Sequence, residues 1–265
     1  MSQLGIPPIK ESINGSSQVL LEKYDISAVI DGSSIFVSWG FDYQLPGHGQ
    51  KLLSCGSFRS KGCLNVEGHE HDLLDGTIAH GQAFVKRYRW SCARSECPIC
   101  YESWAAREAR RVDHRIGAYR SRGEPIHLVV SPKLEDVIVL GEIGLRRRAY
   151  AVARKSGLVG GACIFHPFRR KCARCGAVLK EGYNFCVICG STFRKWVFTP
   201  HFHMIGYGWI KHTKQGYERH GWVVKNLGVR KSVNATAMYL LSHAGVHSRR
   251  HTVTWFGALC YNKLR

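Results

Sequence analysis

Four cysteines in the second half of the chain have a spacing that restricts how the residues around them can fold. Cys172 and Cys175 are separated by two residues, as are Cys186 and Cys189, and ten residues lie between the two pairs. Two such pairs can wrap four thiolates around one zinc ion, so the spacing predicts a zinc ribbon. Because four thiolates leave no open position on the metal, we expect this zinc to be structural.

A second group of cysteines lies between residues 52 and 104. Cys97 and Cys100 form another closely spaced pair, and Cys92 precedes them by a few residues. We expect these three thiolates and Cys63 to bind a second structural zinc, because four ligands complete a tetrahedral site. The spacing leaves the fourth ligand open, and the alternatives are Cys55, His69 and His71. Since no export signal is recognisable, the cysteines are expected to bind metal rather than to form disulfides.

The chain carries a large excess of positive charge. It has 38 Lys and Arg against 19 Asp and Glu, a formal net charge of +19. This excess indicates a polyanionic partner, with nucleic acid as the first choice and an anionic membrane surface as the second. No apolar run reaches the roughly 18 residues that a membrane-spanning helix needs. We expect a cytoplasmic protein whose partner is nucleic acid rather than a membrane.

The sequence divides into three parts. Residues 1–50 are expected to form an N-terminal arm with short strands. Residues 51–122 are expected to form the cysteine-rich zinc-binding module, which ends in a basic helix over 103–121. Residues 123–265 are expected to form the main α+β domain, with the zinc ribbon inserted at 169–195.

Outside the ribbon, the main domain alternates the sequence patterns of strands and helices. The predicted elements are a strand at 125–132, a helix at 134–156, strands at 159–165 and 196–208, a helix at 234–245 and a strand at 252–261. This βαββαβ order predicts an antiparallel sheet with both helices on one face.

Two short patterns within this domain carry potential chemistry. His201 and His203 lie on the predicted strand 196–208, and because side chains alternate along a strand, both imidazoles leave the same face. Two neighbouring neutral imidazoles are half of a metal site. Tyr239 and His243 stand four residues apart on the predicted helix 234–245, so they also share a face.

The stretch 211–231 mixes basic and aromatic residues. Such a mixture suits single-stranded nucleic acid, because basic side chains contact phosphates and rings stack on bases. An ordinary surface excursion is the alternative. The candidate DNA-binding residues are Trp222, Lys225, Arg230 and Lys231.

The His-hydrophobic-His on a central strand, followed by a helical tyrosine, resembles the HUH endonucleases. That superfamily includes rolling-circle replication initiators, conjugative relaxases and single-strand transposases. The resemblance covers residues 125–262. Its His-Leu-Val-Val-Ser-Pro segment, inserted ribbon and Tyr-Leu-Leu-Ser-His segment are most similar to rolling-circle Rep proteins of archaeal plasmids and viruses. Ser242 is a departure, since many Rep proteins have lysine there.

The resemblance implies a sequence-specific enzyme that nicks and joins single-stranded DNA to start rolling-circle replication. Tyr239 would be the nucleophile and would form a 5′-phosphotyrosyl intermediate, with Tyr261 as the second candidate. His201 and His203 would hold Mg²⁺ or Mn²⁺, and His243 matches the third metal ligand of the single-tyrosine transposases. The DNA partner would be a replication origin. A host helicase and polymerase are candidate partners. The chain has no Walker A pattern, so we expect it to carry no helicase of its own.

Two alternatives remain at this point. A single-strand transposase or a relaxase would use the same chemistry. A zinc-containing nucleic-acid-binding regulator would bind without cleaving, and its histidine pair would be incidental.

Overall fold

The computed structural model describes residues 43–63, 83–119, 121, 123–179, 183, 185–211, 213–214, 217 and 221–263. The predicted strands of the N-terminal arm, together with His69 and His71, lie outside these ranges. The chain divides into two compact units. One unit contains Gln44–Pro167 and Thr199–Arg265, and the described part of the other is mainly Phe168–Phe198. The bounds of this segment agree within a few residues with those of the insertion predicted at 169–195.

Seven strands and three helices are assigned in the described part of the chain. In order, they are β1 (Phe58–Cys63), β2 (Ala83–Arg89), α1 (Tyr101–Gly117), β3 (Ile126–Ser131), α2 (Leu134–Lys155), β4 (Leu158–Cys172), β5 (Arg194–Gly208), β6 (Val223–Val229), α3 (Val233–Leu241) and β7 (Val253–Gly257). β1 and β2 pair with each other in a separate antiparallel sheet. None of the described helices has the length and hydropathy required to span a bilayer.

The other five strands form one sheet in the order β6-β3-β5-β4-β7. β3 runs antiparallel to both β5 and β6, and β4 runs antiparallel to β7. The fold is therefore α+β with an antiparallel sheet, as predicted, and the strand with the histidine pair is central. β6 was not predicted, because its sequence has no apolar alternation and only one of its residues, Val224, is buried.

The helices cover both faces of this sheet. α1 and α3 share a core with residues that alternate along β4 and β5, among them Ala162, Ile164 and Ile205. α2 lies on the opposite face, where Tyr150 stacks on Phe256 at 4.9 Å. The expectation that both helices of the βαββαβ repeat share one face was wrong, because amphipathicity gives a helix a buried side without specifying which sheet face it meets.

The basic helix is part of this core rather than of a separate module. Its buried side chains recur at intervals of three and four residues, the spacing of one helical face. They are Ala105, Ala109, Val112 and Ile116. Tyr207 on β5 donates its hydroxyl to the carbonyl of Ile116 at 2.8 Å, which fixes the end of α1 against the sheet.

Local signals explain where α3 begins and where α2 bends. The Ser232 hydroxyl accepts the backbone N–H of Ala235 at 3.1 Å, so Ser232 is the N-cap of α3. Gly141 interrupts α2 with a φ of 58°, a left-handed conformation that glycine adopts without steric cost.

Two glycines allow β4 and β5 to approach closely. A Cβ atom on Gly161 would lie 2.2 Å from the carbonyl oxygen of Ile205, and one on Gly206 would lie 2.0 Å from that of Gly160. Both separations are far inside van der Waals contact with backbone atoms, so any larger residue would push the strands apart.

Candidate metal centre and active site

The histidine pair lies on β5 as the alternating pattern predicted. His201 and His203 are both buried and belong to one face of the strand. Phe202 points to the opposite face, where its ring lies 5.0 Å from that of Phe165. The two imidazoles therefore face the side of the sheet that carries α1 and α3.

A third buried imidazole, His166, completes the group. It lies on β4, and the ligand atoms of His166, His201 and His203 are all within 4.8 Å of one another. Sequence reasoning missed this residue because the predicted strand stopped at Phe165, whereas β4 continues through Pro167 to Cys172. The signal that could have found it is the alternation of Ala162, Ile164 and His166, which share one face.

His243 was the expected third metal ligand, but it lies outside this three-histidine group. Its ring is 4.7 Å from that of His166 and 4.7 Å from that of Tyr239. The helical spacing correctly predicted that Tyr239 and His243 would meet. The residue that joins His201 and His203 in the three-histidine group comes from β4 rather than from α3.

Hydrogen bonds orient the two histidines of β5. The Nδ1 atom of His201 is 2.8 Å from the carbonyl oxygen of Thr199. A carbonyl only accepts, so this nitrogen carries the proton and Nε2 has the lone pair that a metal requires. The Nδ1 atom of His203 lies 2.8 Å from Nε2 of His127 on β3.

The surroundings of His127 and His166 favour their neutral forms. Burial, together with the positive charge of Arg230, lowers the pKa of His127 from its ordinary value to about 4. Burial and the surrounding imidazoles, first among them His203, hold the pKa of His166 well below its ordinary value. Neutral imidazoles are the form that binds metal ions.

The residues present fit a divalent transition-metal ion. Within the described residues, both ring nitrogens of His166 and Nδ1 of His127 are buried without a hydrogen-bond partner. Buried polar atoms are rarely left in that state, and a bound metal ion would supply a partner for one of the two nitrogens of His166. Three convergent imidazoles are a donor set that such ions prefer.

The two candidate tyrosines have different surroundings. Tyr239 on α3 has 46% of its surface exposed, and its ring contacts His243. Tyr261 was expected on the last strand, but β7 ends at Gly257 and Tyr261 lies in the following turn. Its ring packs against the guanidinium of Arg115 at 3.9 Å. Tyr239 is therefore the tyrosine linked to the histidine group.

The four candidate DNA-binding residues do not form one surface. Trp222 is fully buried, and its Nε1 donates to Asp136 at 2.5 Å, so it is a core residue rather than a stacking platform. Lys225 is exposed on β6 and stands in register with Val129, which is in register with His203. The side chains of these three residues leave the same face of the sheet. Lys225 and His203 are two strand spacings apart, a distance of about 10 Å. Arg230 is half-buried and Lys231 is exposed.

The first cysteine group contains Cys55 in the place expected for Cys63. The Sγ atom of Cys55 is 3.2 Å from that of Cys100 and 3.6 Å from that of Cys97, and Cys92 lies 3.7 Å from Cys100. The four thiols lie within 4.8 Å of one another. Cys63 is at the end of β1, paired with Ala83, and its side chain is outside the described part. Spacing alone could not choose between Cys55 and Cys63, because neither is separated from another cysteine by only two residues.

The second cysteine group is the one that the spacing predicted. Cys172 lies 3.5 Å from Cys189 and Cys175 lies 3.5 Å from Cys186, measured between Sγ atoms. Gly176 follows Cys175 and donates its N–H to the carbonyl of Cys172, and Gly190 follows Cys189 and donates its N–H to the carbonyl of Cys186. Both glycines have a φ near 70°. Both four-cysteine groups are compatible with structural zinc sites.

No family model, curated protein or solved structure matches this chain. The chemistry of the site therefore has to be argued from its own side chains.

Proposed function

We propose that this protein nicks and rejoins single-stranded DNA in the manner of an HUH endonuclease, and that it initiates rolling-circle replication. One observation carries the proposal. Tyr239 contacts His243, His243 contacts His166, and His166 belongs to the buried group with His201 and His203. A non-enzymatic regulator would have no need for a half-exposed tyrosine beside three buried, convergent imidazoles.

The ligand set is His166, His201 and His203, with His243 beside it rather than in it. A divalent ion held there would polarise the scissile phosphate and neutralise the charge that develops on it. Divalent transition-metal ions, including Mn²⁺, accept imidazole nitrogen more readily than Mg²⁺, which prefers oxygen ligands. Of the two ions expected from the sequence, Mn²⁺ is therefore the better candidate.

Tyr239 acts as the nucleophile. Its phenolic oxygen attacks the phosphorus and forms a phosphotyrosyl bond, while the bond from phosphorus to the 3′ oxygen breaks. The phenol loses its proton to solvent, which reaches the half-exposed ring, and the departing oxygen takes up a proton to become a 3′-hydroxyl. The covalent bond conserves the phosphodiester energy, so the same hydroxyl can later reverse the reaction and join strands.

The DNA strand lies along the histidine face of the sheet. Lys225 is exposed in the same row as His203, so its ammonium group can contact a phosphate next to the one that is cleaved. The net charge of +19 supplies long-range attraction for the strand. Trp222 takes no part, since it is buried.

The two cysteine groups hold structural zinc ions, and the second of them forms a zinc ribbon. The first group joins the loop before β1 to the segment that leads into α1, so its zinc would fix the start of that helix. Metal binding and folding are one event in such small sites.

The test is a search for a covalent adduct. Wild-type protein with Mn²⁺ is incubated with a pool of random single-stranded oligonucleotides labelled at the 3′ end, then run on a denaturing gel. We expect a labelled protein band, whose recovered DNA shares a 5′-terminal sequence. Tyr239→Phe removes only the hydroxyl and should abolish the band, whereas Tyr261→Phe should keep it.

Other outcomes separate the alternatives. An adduct that persists in Tyr239→Phe and disappears in Tyr261→Phe would reassign the nucleophile. Binding without any adduct would favour the regulator. A transposase or relaxase would give the same adduct. Locating the recovered sequence in the DNA that carries the gene would distinguish the three, since it would fall at a replication origin, an element end or a transfer origin.

A further inference from the structure

The second compact unit has an unusual concentration of charge. We call residues 168–198 the insert module. They contain seven Lys and Arg and one Glu, a net charge of +6 in 31 residues of a chain with a total of +19. Even if four thiolates and a zinc ion are included, the module stays positive. Such a density of like charge within a small unit indicates a polyanionic partner.

The same module exposes large apolar side chains. Phe193 and Ile188 have 77% and 73% of their surface exposed, and Tyr183 and Phe185 are about half exposed. The rings of Tyr183 and Phe185 meet edge to face at 5.7 Å. Single exposed apolar residues are ordinary, but several on one 31-residue unit indicate a binding site.

Backbone contacts bring the charged and aromatic side chains together. The N–H of Ala173 donates to the carbonyl of Phe193 at 2.9 Å, which places Phe193 beside the exposed Arg174. The guanidinium of Arg170 lies over the ring of Trp196 at 5.3 Å. Arginine and aromatic residues are therefore close to each other at two places in the module.

We propose that the insert module binds single-stranded DNA through its own surface. Its Lys and Arg side chains would contact phosphates, and the exposed rings of Phe193, Tyr183 and Phe185 would stack on unpaired bases. A duplex fits less well, because its bases already stack on each other. A second copy of the module also fits less well, because two surfaces of the same charge repel each other.

The proposal adds a DNA contact to the proposed function but does not depend on cleavage. The module holds neither Tyr239 nor the three-histidine group, so it can bind DNA whether or not the chain is an enzyme. A test that measures binding alone therefore separates the two proposals.

The test uses the full zinc-loaded chain with Tyr239→Phe as the parent, so that no covalent product forms. Its affinity for a fluorescent oligothymidylate is measured by anisotropy. Loss of one stacked base costs a factor of about 5 or more in affinity, so Phe193→Ala should weaken binding at least that much. Arg174→Ala should weaken binding and also reduce its salt dependence. The matched control is Trp209→Ala, an aromatic residue of similar exposure outside the module.

Two further measurements keep the result decisive. Zinc content must equal that of the parent, which shows that the module still folds. Ultraviolet crosslinking to an iodouracil oligonucleotide, followed by peptide mapping, should find adducts within residues 168–198. The proposal is overturned if both variants bind like the parent and the crosslinks lie elsewhere. It is also overturned if Phe193→Ala abolishes self-association of the protein but leaves its DNA affinity unchanged.

Discussion

His127 and His203 are joined through their side chains, with Nε2 of His127 2.8 Å from Nδ1 of His203. If His203 binds a metal through Nε2, its Nδ1 must carry the proton and donate to His127. His127 then accepts through Nε2 and carries its own proton on Nδ1. Because His127 is buried, with a pKa near 4, it stays neutral and keeps this acceptor at physiological pH. It is a positioning residue for the proposed metal centre.

Removal of this acceptor should weaken metal binding. His127→Leu is expected to lower the affinity for Mn²⁺ by about 10- to 100-fold, the usual effect of losing a hydrogen bond to a metal ligand. His127→Gln reaches the same position with an amide oxygen and should retain most of the affinity. Calorimetric titration of zinc-loaded protein measures both. Equal affinities in the two variants would mean that His127 only fills space.

The third metal ligand can be identified by a pair of substitutions. His166→Ala should remove tight Mn²⁺ binding, because it deletes one of the three convergent nitrogens. His243→Ala should leave Mn²⁺ affinity within a few-fold of wild type, because His243 lies outside the group. The readout is again calorimetry without DNA. If His243→Ala loses tight Mn²⁺ binding and His166→Ala keeps it, His243 is the third ligand, as expected from the sequence.

Lys225 should contact DNA, and Lys155 provides a matched control. Both lysines are exposed, but Lys155 is at the end of α2, on the other face of the sheet. Lys225→Ala should lower the affinity for single-stranded DNA and reduce the slope of log affinity against log salt by about 0.7, the loss of one phosphate contact. Lys155→Ala should change neither. Identical slopes for wild type and Lys225→Ala would exclude a phosphate contact at Lys225.

Zinc stoichiometry distinguishes Cys55 from Cys63. The geometry predicts that Cys55→Ser loses about one zinc ion per chain, because three thiolates no longer complete the site. Cys63→Ser should keep the full content. Cys175→Ser should lose the other zinc and unfold the insert module. Elemental analysis after purification without chelator measures all three, and loss of zinc from Cys63→Ser would show that Cys63 is a ligand.

Patterns with a fixed period were predictable from the sequence. The alternation of His201, Phe202 and His203 predicted the strand and the shared direction of both imidazoles. The spacing of four between Tyr239 and His243 correctly predicted that their rings meet. The close pairs of cysteines predicted one complete four-cysteine group. In each case the spacing of neighbouring residues decides the geometry, and tertiary contacts have little to add.

Features that depend on pairing between distant segments were not predictable. His166 meets His201 only because β4 lies next to β5, and no motif in the sequence marks that contact. β6 is an edge strand without apolar alternation, and β3 supplies the partner that makes it a strand. The burial of Trp222 likewise depends on its contact with Asp136 of α2. The sequence around Trp222 shows only a mixture of basic and aromatic residues, and that mixture suggested a DNA-stacking role.

The close approach of β4 and β5 at Gly161 and Gly206 bears on where harmful mutations should arise. His166 stands five residues after Gly161, and His203 three residues before Gly206, on the two strands that these glycines allow to meet. A side chain at either glycine would separate the strands and spread the imidazoles without changing any of them. A screen for inactive variants should therefore return these two positions alongside the histidines, although neither glycine has a functional group to lose.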